Sequence, residues 1–211
     1  MIIAIDGPAA SGKGTLARRI AKHYGLNYLD TGLIYRAVAR DVLEAGHATA
    51  DPAAALAAAR ALDPDSLDDP SLKDRGIADN ASIVAGHPDV RACLLQFQRD
   101  FANRAPGAVM DGRDIGTVVC PGAQAKLYIT ASPDVRAFRR HRELTSKGDS
   151  VSQEHVLEVI LRRDARDSER ATAPMRPADD ADVLDTTLLS IEAALAAAMV
   201  LIEAQLARTR S

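Results

Sequence analysis

The sequence predicts an α/β fold, a five-stranded parallel sheet with helices on both faces. Three observations carry this expectation. Short apolar segments alternate with longer stretches of helical periodicity along the 211 residues. The first segment, Ile2-Ile3-Ala4-Ile5, runs into a loop of small residues and then into a helical pattern. Polar residues cluster where segments end, at Asp6-Gly7, Asp30-Thr31 and Asp111-Gly112-Arg113-Asp114, and in a parallel sheet ligands collect at the carboxyl ends of the strands.

Taken in order, strands are expected at Ile2–Ile5, Asn27–Leu29, Ala108–Met110, Lys126–Thr130 and Asp182–Leu184. Helices are expected near 14–24, 32–45, 88–104, 133–146, 152–169 and 189–208, the last capped by Ser190. Two stretches fall outside the alternation. Residues 47–87 hold an Ala-rich helix, Ala53–Ala61, and then a turn-rich acidic run from Asp63 to Pro70, which reads as an excursion from the core. Lys147-Gly148-Asp149-Ser150 separates two Arg-bearing helices and reads as the hinge of a mobile flap.

Residues 7 to 15 read Gly-Pro-Ala-Ala-Ser-Gly-Lys-Gly-Thr. A loop of this kind cradles a polyphosphate. Small residues let backbone N–H groups close on the oxygens, the helix N-terminus adds roughly half a positive charge, and Lys13 adds a full one at the β and γ oxygens. The expected ligand is a nucleoside triphosphate. The usual loop sets Ser or Thr directly after the lysine as a metal ligand, whereas here Gly14 follows and Thr15 is displaced by one, so the sequence does not identify the metal ligands. A glycine-rich loop that merely turns the chain is the alternative, and the agreement of loop, lysine, strand and helix speaks against it.

Composition narrows the class. With 47% apolar residues and a net charge of −3, the chain has enough for one sizeable core and lacks the basic excess of a nucleic-acid binder. No basic stretch precedes the first apolar run, Asp6 cuts that run short, and the uncharged segment from Ala193 to Ile202 is too short to span a bilayer. A cytoplasmic location is therefore expected, with no membrane partner. Cys93 and Cys120 belong to no CxxC or Cys/His cluster and read as free thiols.

A second anion site is expected on a helix carrying Arg163, Arg166, Asp167 and Arg170, which share a sector of about 100°. Three guanidiniums around one carboxylate repel one another unless a further anion joins them, and Arg suits bidentate phosphate contact. The plainer reading is a solvated face with an Arg163–Asp167 pair. Arg136, Arg139 and Arg140 form a similar group on the preceding helix, and Arg36 and Arg91 stand near helix starts or bends. Together with the phosphate loop, these arginines point to two phosphate-bearing ligands meeting end to end, an arrangement for phosphoryl transfer.

The motifs resemble those of bacterial cytidylate kinases, nucleoside monophosphate kinases of the P-loop class. The matching stretches are Ile5-Asp6-Gly7-Pro8 through Thr15, Leu29-Asp30-Thr31-Gly32 with Tyr35-Arg36, Asn80-Ala81-Ser82 with Val90-Arg91, Asp111 through Val119, Arg163-Asp164-Ala165-Arg166-Asp167 through Ala171, Ala173-Pro174, and Leu184-Asp185-Thr186-Thr187. The resemblance runs from end to end. The block Gly-Arg-Asp-Ile-Gly-Thr-Val-Val at 112–119 is far more specific than the phosphate loop, which many unrelated ATPases share.

The resemblance implies a P-loop NTPase fold in one domain over 1–211, with a helical monophosphate-binding insert at about 31–105 and a short lid at about 140–165. It implies transfer of the γ-phosphoryl group of ATP to CMP or dCMP with Mg²⁺, by a monomer acting on small molecules. Gly7, Pro8, Ala9, Ala10, Ser11, Gly12, Lys13, Gly14 and Thr15, with Arg139, would hold ATP. Lys13, Arg113 and Arg170 would be catalytic. Arg36 and Arg113 would grip the phosphate of CMP, Ser82, Arg91 and Asp114 would read cytosine, and Arg163 with Asp167 would contact the sugar. Arg170 would contact a phosphate, and Thr31, Tyr35, Asp111 and Gly112 would complete the acceptor site. The chemistry agrees, because cytosine offers an N4 donor to a carboxylate and N3 and O2 acceptors to an arginine, while uracil would leave Asp114 facing a carbonyl.

Better-known members of that family carry a longer insert, a small antiparallel sheet, where residues 62–76 are too short for one. Two other classes compete. A switch GTPase needs an Asn/Thr-Lys-x-Asp segment at a strand end, and Ser146-Lys147-Gly148-Asp149 lacks the Asn and follows a helix. A P-loop kinase for another acceptor (UMP, AMP or shikimate) and a purely regulatory ATP-binding module are separated by turnover across acceptors.

Overall fold

The computed structural model describes residues 1–209; Arg210 and Ser211, the last two residues of the expected domain, lie outside the described residues. Its strands are β1 (Ile2–Asp6), β2 (Asn27–Asp30), β3 (Ala108–Gly112), β4 (Ala125–Thr130) and β5 (Asp182–Asp185). Its α-helices are α1 (Lys13–Tyr24), α2 (Thr31–Glu44), α3 (Pro52–Arg60), α4 (Arg75–Val84), α5 (Pro88–Ala102), α6 (Pro133–Ser146), α7 (Gln153–Ser168) and α8 (Ile191–Thr209). The chain divides into two compact units, one formed by Met1–Leu29 with the chain from Ala102 onward, the other by Asp30–Phe101.

The first unit holds the sheet, in spatial order β2-β3-β1-β4-β5. β1 pairs in parallel with β3, Asp6 opposite Gly112, and with β4, Asp6 opposite Tyr128; β4 pairs in parallel with β5. All five strands fall where the apolar segments stand in the sequence, and the doubly covered α/β architecture is the expected one. The core forms where Leu16, Ala17, Ile20 and Ala21 of α1 and Ala194, Ala198, Ile202 and Leu206 of α8 meet Ile3, Ile5, Val109, Leu127, Ile129 and Leu184. The helical residues recur at spacings of three and four, which gives each helix one apolar stripe to bury. α1 stops at Gly25, whose φ of 63° lets its N–H reach back to the last carbonyls. Ser190 caps α8 as expected, its Oγ accepting from the Ala193 N–H at 3.1 Å. α6 and α7 pack on each other through Ala137, Leu144, Val156 and Ile160.

The second unit is helical, α2 packing on α3 and α4. Its local architecture follows from a repeated Asp-Pro pair. Asp51, Asp63 and Asp69 each accept backbone N–H groups with their side chains, and Pro52, Pro64 and Pro70 follow as the first residues of the turns they open. The acidic run read as an open connection is therefore two capped 3₁₀ turns, Pro64–Asp68 and Pro70–Lys73. No strand forms at 62–76 among the described residues. Leu72 is fully buried there and anchors the second turn.

Two helix expectations are corrected. α4 was not foreseen, because Asn80 and Ser82 obscure the buried series Ala78, Ala81, Val84 and Ala85. α7 ends at Ser168, so Arg170 lies beyond the helix expected to carry it. The chain turns there, with the Met175 N–H donating to the Asp167 carbonyl at 2.8 Å and Ala173 at a φ of 52°.

Candidate active site

The phosphate loop springs from the carboxyl end of β1 in the middle of the sheet. Gly7 has a φ of 145°, and a Cβ there would sit 2.0 Å from the Ile129 carbonyl oxygen, so only glycine lets the chain leave the strand this close to β4. Ala10 adopts a φ of 59°, a strained setting for a residue with a Cβ and one found where loops are shaped for ligands. α1 begins behind Gly12 with no side-chain cap and no acidic residue in its first turn, which leaves that end positive. Thr15, on the exposed side of that turn, donates its N–H to the Gly12 carbonyl at 3.1 Å. Lys13 Nζ donates to the Pro8 carbonyl at 3.5 Å and lies 3.7 Å from Asp111 Oδ1. Asp111 also accepts from the Tyr28 hydroxyl at 3.4 Å. A Cβ at residue 14 would come within 3.0 Å of Asp111 Oδ2, so Gly14 in place of the usual hydroxyl residue makes room for the carboxylate.

At the end of β3 the chain turns through Gly112, Arg113 and Asp114. Arg113 donates from Nη1 to the Gly112 carbonyl at 3.1 Å and from Nε to Asp167 Oδ2 at 3.2 Å. Arg163 approaches the same oxygen at 3.8 Å, and Arg170 donates to Asp167 Oδ1. Three guanidiniums thus converge on one carboxylate that is 1% exposed. The structure joins Arg113 to a set that the sequence had grouped as Arg163, Arg166 and Arg170, because the helix face alone does not report a partner from the turn after β3. A surplus of positive charge with little solvent is an anion-binding arrangement.

Asp114 and, one strand away, Asp6 are both buried. Asp6 accepts from the Ile115 and Gly116 N–H groups, each at 2.8 Å. Burial raises its carboxyl to about 7 against these hydrogen bonds, with Asp114 and Asp111 adding to the rise.

The three arginines of α6 have different surroundings, which corrects their reading as one group. Arg136 is buried and donates to the Ala131 carbonyl at 2.9 Å and the Ala9 carbonyl at 3.3 Å, and it pairs with Asp164 at 2.6 Å. Arg139 donates to Thr186 Oγ1 at 3.0 Å, to the Thr186 carbonyl at 2.7 Å and to the Ser11 carbonyl at 3.4 Å. Burial holds its guanidinium below the ordinary arginine value. Arg140 pairs locally with Glu143. Thr186 also donates to the Ser11 carbonyl at 3.0 Å, linking the β5–α8 turn to the phosphate loop. Asp164 and Thr186 frame the site although the sequence marked them only by position inside matching motifs, and Asp6, marked also by its place at the end of the first apolar segment, was given no role of its own.

In the second unit, Thr31 opens α2 and is buried, with Asp30 Oδ1 accepting from the Gly32 N–H at 3.0 Å. Arg36 donates to the Leu72 carbonyl at 3.1 Å. Tyr35 and Arg91 are brought together, the guanidinium 5.5 Å from the ring centroid, and Arg91 donates to the Ala85 carbonyl at 3.3 Å. Ser82 is buried in α4. Among the described residues no cluster of His, Cys, Asp and Glu has the makings of a metal site by itself, and Cys93 and Cys120 form no disulfide.

Comparison with known proteins bears on this arrangement. The sequence profile of the family described as "Cytidylate kinase" matches residues 3–204. A cytidylate kinase of Methylocella silvestris is 58% identical over 203 residues, 96% of this chain and 94% of that protein. One of Xanthobacter autotrophicus is 58% identical over 205 residues, 97% of this chain and 98% of that protein. One of Rhodopseudomonas palustris is 54% identical over 204 residues, 97% and 96% respectively. Among solved structures, an uncharacterized protein from Eubacterium ventriosum has a similar fold, with a TM-score of 0.55 at 18% identity over 97% of this chain and 98% of that one.

Proposed function

Since this chain belongs to the cytidylate kinase family, we propose that Lys13, Arg113 and Arg170 support an in-line transfer of the γ-phosphoryl group of ATP to CMP or dCMP, giving ADP and CDP or dCDP. The observation that carries the residue assignment is the cationic cluster on Asp167. A phosphate loop alone fits any ATPase, but three guanidiniums at the carboxyl end of the same sheet suit a second phosphate, that of the acceptor.

The reaction asks for position and charge rather than a covalent intermediate. Gly7–Thr15 holds the ATP phosphates by backbone N–H groups, and Lys13 exchanges its contact with Asp111 for the β and γ oxygens. Arg139 borders this loop and serves ATP. Arg113, Arg163 and Arg170 carry the positive charge that the transferred group needs as its own charge spreads in the transition state. Asp167 orients them and, with Arg163, meets the sugar. Asp114 accepts from the cytosine N4 amino group, while Ser82 and Arg91 serve the remaining polar edge of the base. Arg36 grips the CMP phosphate, and Thr31, Tyr35 and Gly112 shape the acceptor site.

Mg²⁺ fits the residues present, because Asp111 is a buried carboxylate lying against Lys13 and close to Gly14 of the phosphate loop. Asp111 would hold the ion, which when bound neutralises the phosphate oxygens. We further assign the protein to the cytoplasmic nucleotide pool, as a monomer. No helix among the described residues is long and apolar enough to cross a membrane. A coupled assay with MgATP and a panel of CMP, dCMP, UMP, AMP and shikimate tests the reading. CMP or dCMP should exceed the other acceptors in kcat/KM, and equal turnover of UMP or AMP would overturn it.

A further inference from the structure

The turn carrying Arg113 and Asp114 leads into a wide π-helical turn, Ile115–Val119. In it the Asp114 carbonyl accepts from the Val118 and Val119 N–H groups, and the Ile115 carbonyl from Cys120. The first N–H groups of any helical turn lack partners within it, and the residue at the cap position ordinarily supplies one from its own side chain. Asp114 occupies that position and makes no cap hydrogen bond. Asp6, 109 residues earlier, caps the turn instead, one oxygen on Ile115 N–H and the other on Gly116 N–H. The fit is close on the turn's side as well, since a Cβ at Gly116 would lie 3.4 Å from Asp6 Oδ2 and 3.2 Å from Lys126 Cδ.

We propose that Asp6 is a positioning residue for CMP recognition. By capping the turn in Asp114's stead, it fixes the direction in which the Arg113 guanidinium and the Asp114 carboxylate are presented. The inference rests on the reading that Arg113 and Asp114 contact CMP. Its physical basis is a division of labour between two acids. A carboxylate folded back onto Ile115 and Gly116 would spend its lone pairs on its own turn, whereas Asp6 satisfies those donors from β1 and keeps Asp114 out of the cap. In its ionised form aspartate suits the task because it offers two acceptor oxygens to two donors. An asparagine would offer one and aim its NH₂ at the other N–H.

Asp6→Asn therefore tests the proposal with little change of shape. Hydrogen exchange of the 113–119 segment is read beside that of α8, and KM is measured for CMP, UMP and ATP. Losing one of the two buried hydrogen bonds, with an NH₂ set against the other N–H, should speed exchange at Ile115 and Gly116 by on the order of tenfold or more. The KM for CMP should rise on the order of tenfold with the KM for ATP within about twofold, and the CMP-to-UMP preference should narrow. Exchange in α8 should stay as in the wild type. A residue serving stability alone would speed exchange throughout and lower kcat for both acceptors with no split in KM. That result overturns the proposal, as does unaltered exchange at residues 115 and 116.

Gly116→Ala presses on the same contact from the other side and should produce the same pattern more weakly, so the proposal is testable even if Asp6→Asn folds poorly. Asp114→Asn run alongside separates the two readings. If it leaves the CMP-to-UMP ratio unchanged while Asp6→Asn loosens the turn and raises the CMP KM, base reading by Asp114 fails and the positioning of Arg113 stands.

Discussion

Lys13 and Asp6 show how much one side chain's surroundings decide. On the proposed mechanism Lys13 carries the charge nearest the transferred group, and in the structure it lies 3.7 Å from the buried Asp111 carboxylate. Lys13→Ala should lower kcat by on the order of 10²-fold or more with the chain still folded, since charge stabilisation of the transition state is what is lost. Steady-state kinetics beside thermal unfolding checks this, and near-normal kcat would remove Lys13 from the chemistry. Asp6 has a titration consequence. Its carboxyl is raised from the ordinary 3.8 to about 7, chiefly by burial, so the folded chain holds a proton that the unfolded chain releases over that range. The stability this group contributes is full below the ordinary aspartate range and is lost as pH rises through about 7. Between about pH 5 and pH 8 the urea midpoint of the wild type should fall relative to that of Asp6→Asn, which cannot titrate; parallel curves would contradict the assignment.

Among the elements, α6 separates roles that its sequence blends. Arg136 is buried against Ala9, Ala131 and Asp164, whereas Arg140 pairs with Glu143 near the surface. Arg136→Met should destabilise the fold by about 3–5 kcal/mol, because it leaves Asp164 uncompensated in a poorly solvated site. Arg140→Ala should cost no more than about 0.5 kcal/mol. Adding Asp164→Leu to Arg136→Met should recover most of the loss in urea unfolding, and failure to recover would mean that the two residues are not coupled. The periodicity of α6 predicted the helix but did not distinguish these arginines, since burial depends on what the rest of the chain brings to each face. The same limit applies elsewhere. The strands, α1, α8 and the phosphate loop were legible because each has its own pattern of apolar spacing or small residues. α4 and the two 3₁₀ turns were not, because they are short, rich in turn-forming residues, and held by tertiary burial of Leu72 and Val84. In the site, the loop and the arginines of residues 163–170 could be read locally. The joining of Arg113 to Asp167 and the capping by Asp6 could not, since both link positions far apart in the chain.

For the molecule as a whole, the sheet sets the terms. Parallel strands end together, so the loop after β1, the turn after β3 and the Thr186 turn after β5 reach one edge of the first unit. A phosphate loop and a cationic cluster on that edge fit a family whose members are cytidylate kinases, and the reaction we propose is direct transfer with no enzyme-bound phosphoryl group. The sequence shows no activated Ser, Cys or His constellation among its five histidines and two cysteines. The stereochemical course at phosphorus tests this claim most directly. ATP made chiral with oxygen isotopes at the γ-phosphoryl group is turned over with CMP, and the configuration of the β-phosphoryl group of CDP is read. Single in-line transfer predicts that the label arrives in CDP with inversion. Retention, or label recovered as inorganic phosphate in place of CDP, would contradict the account.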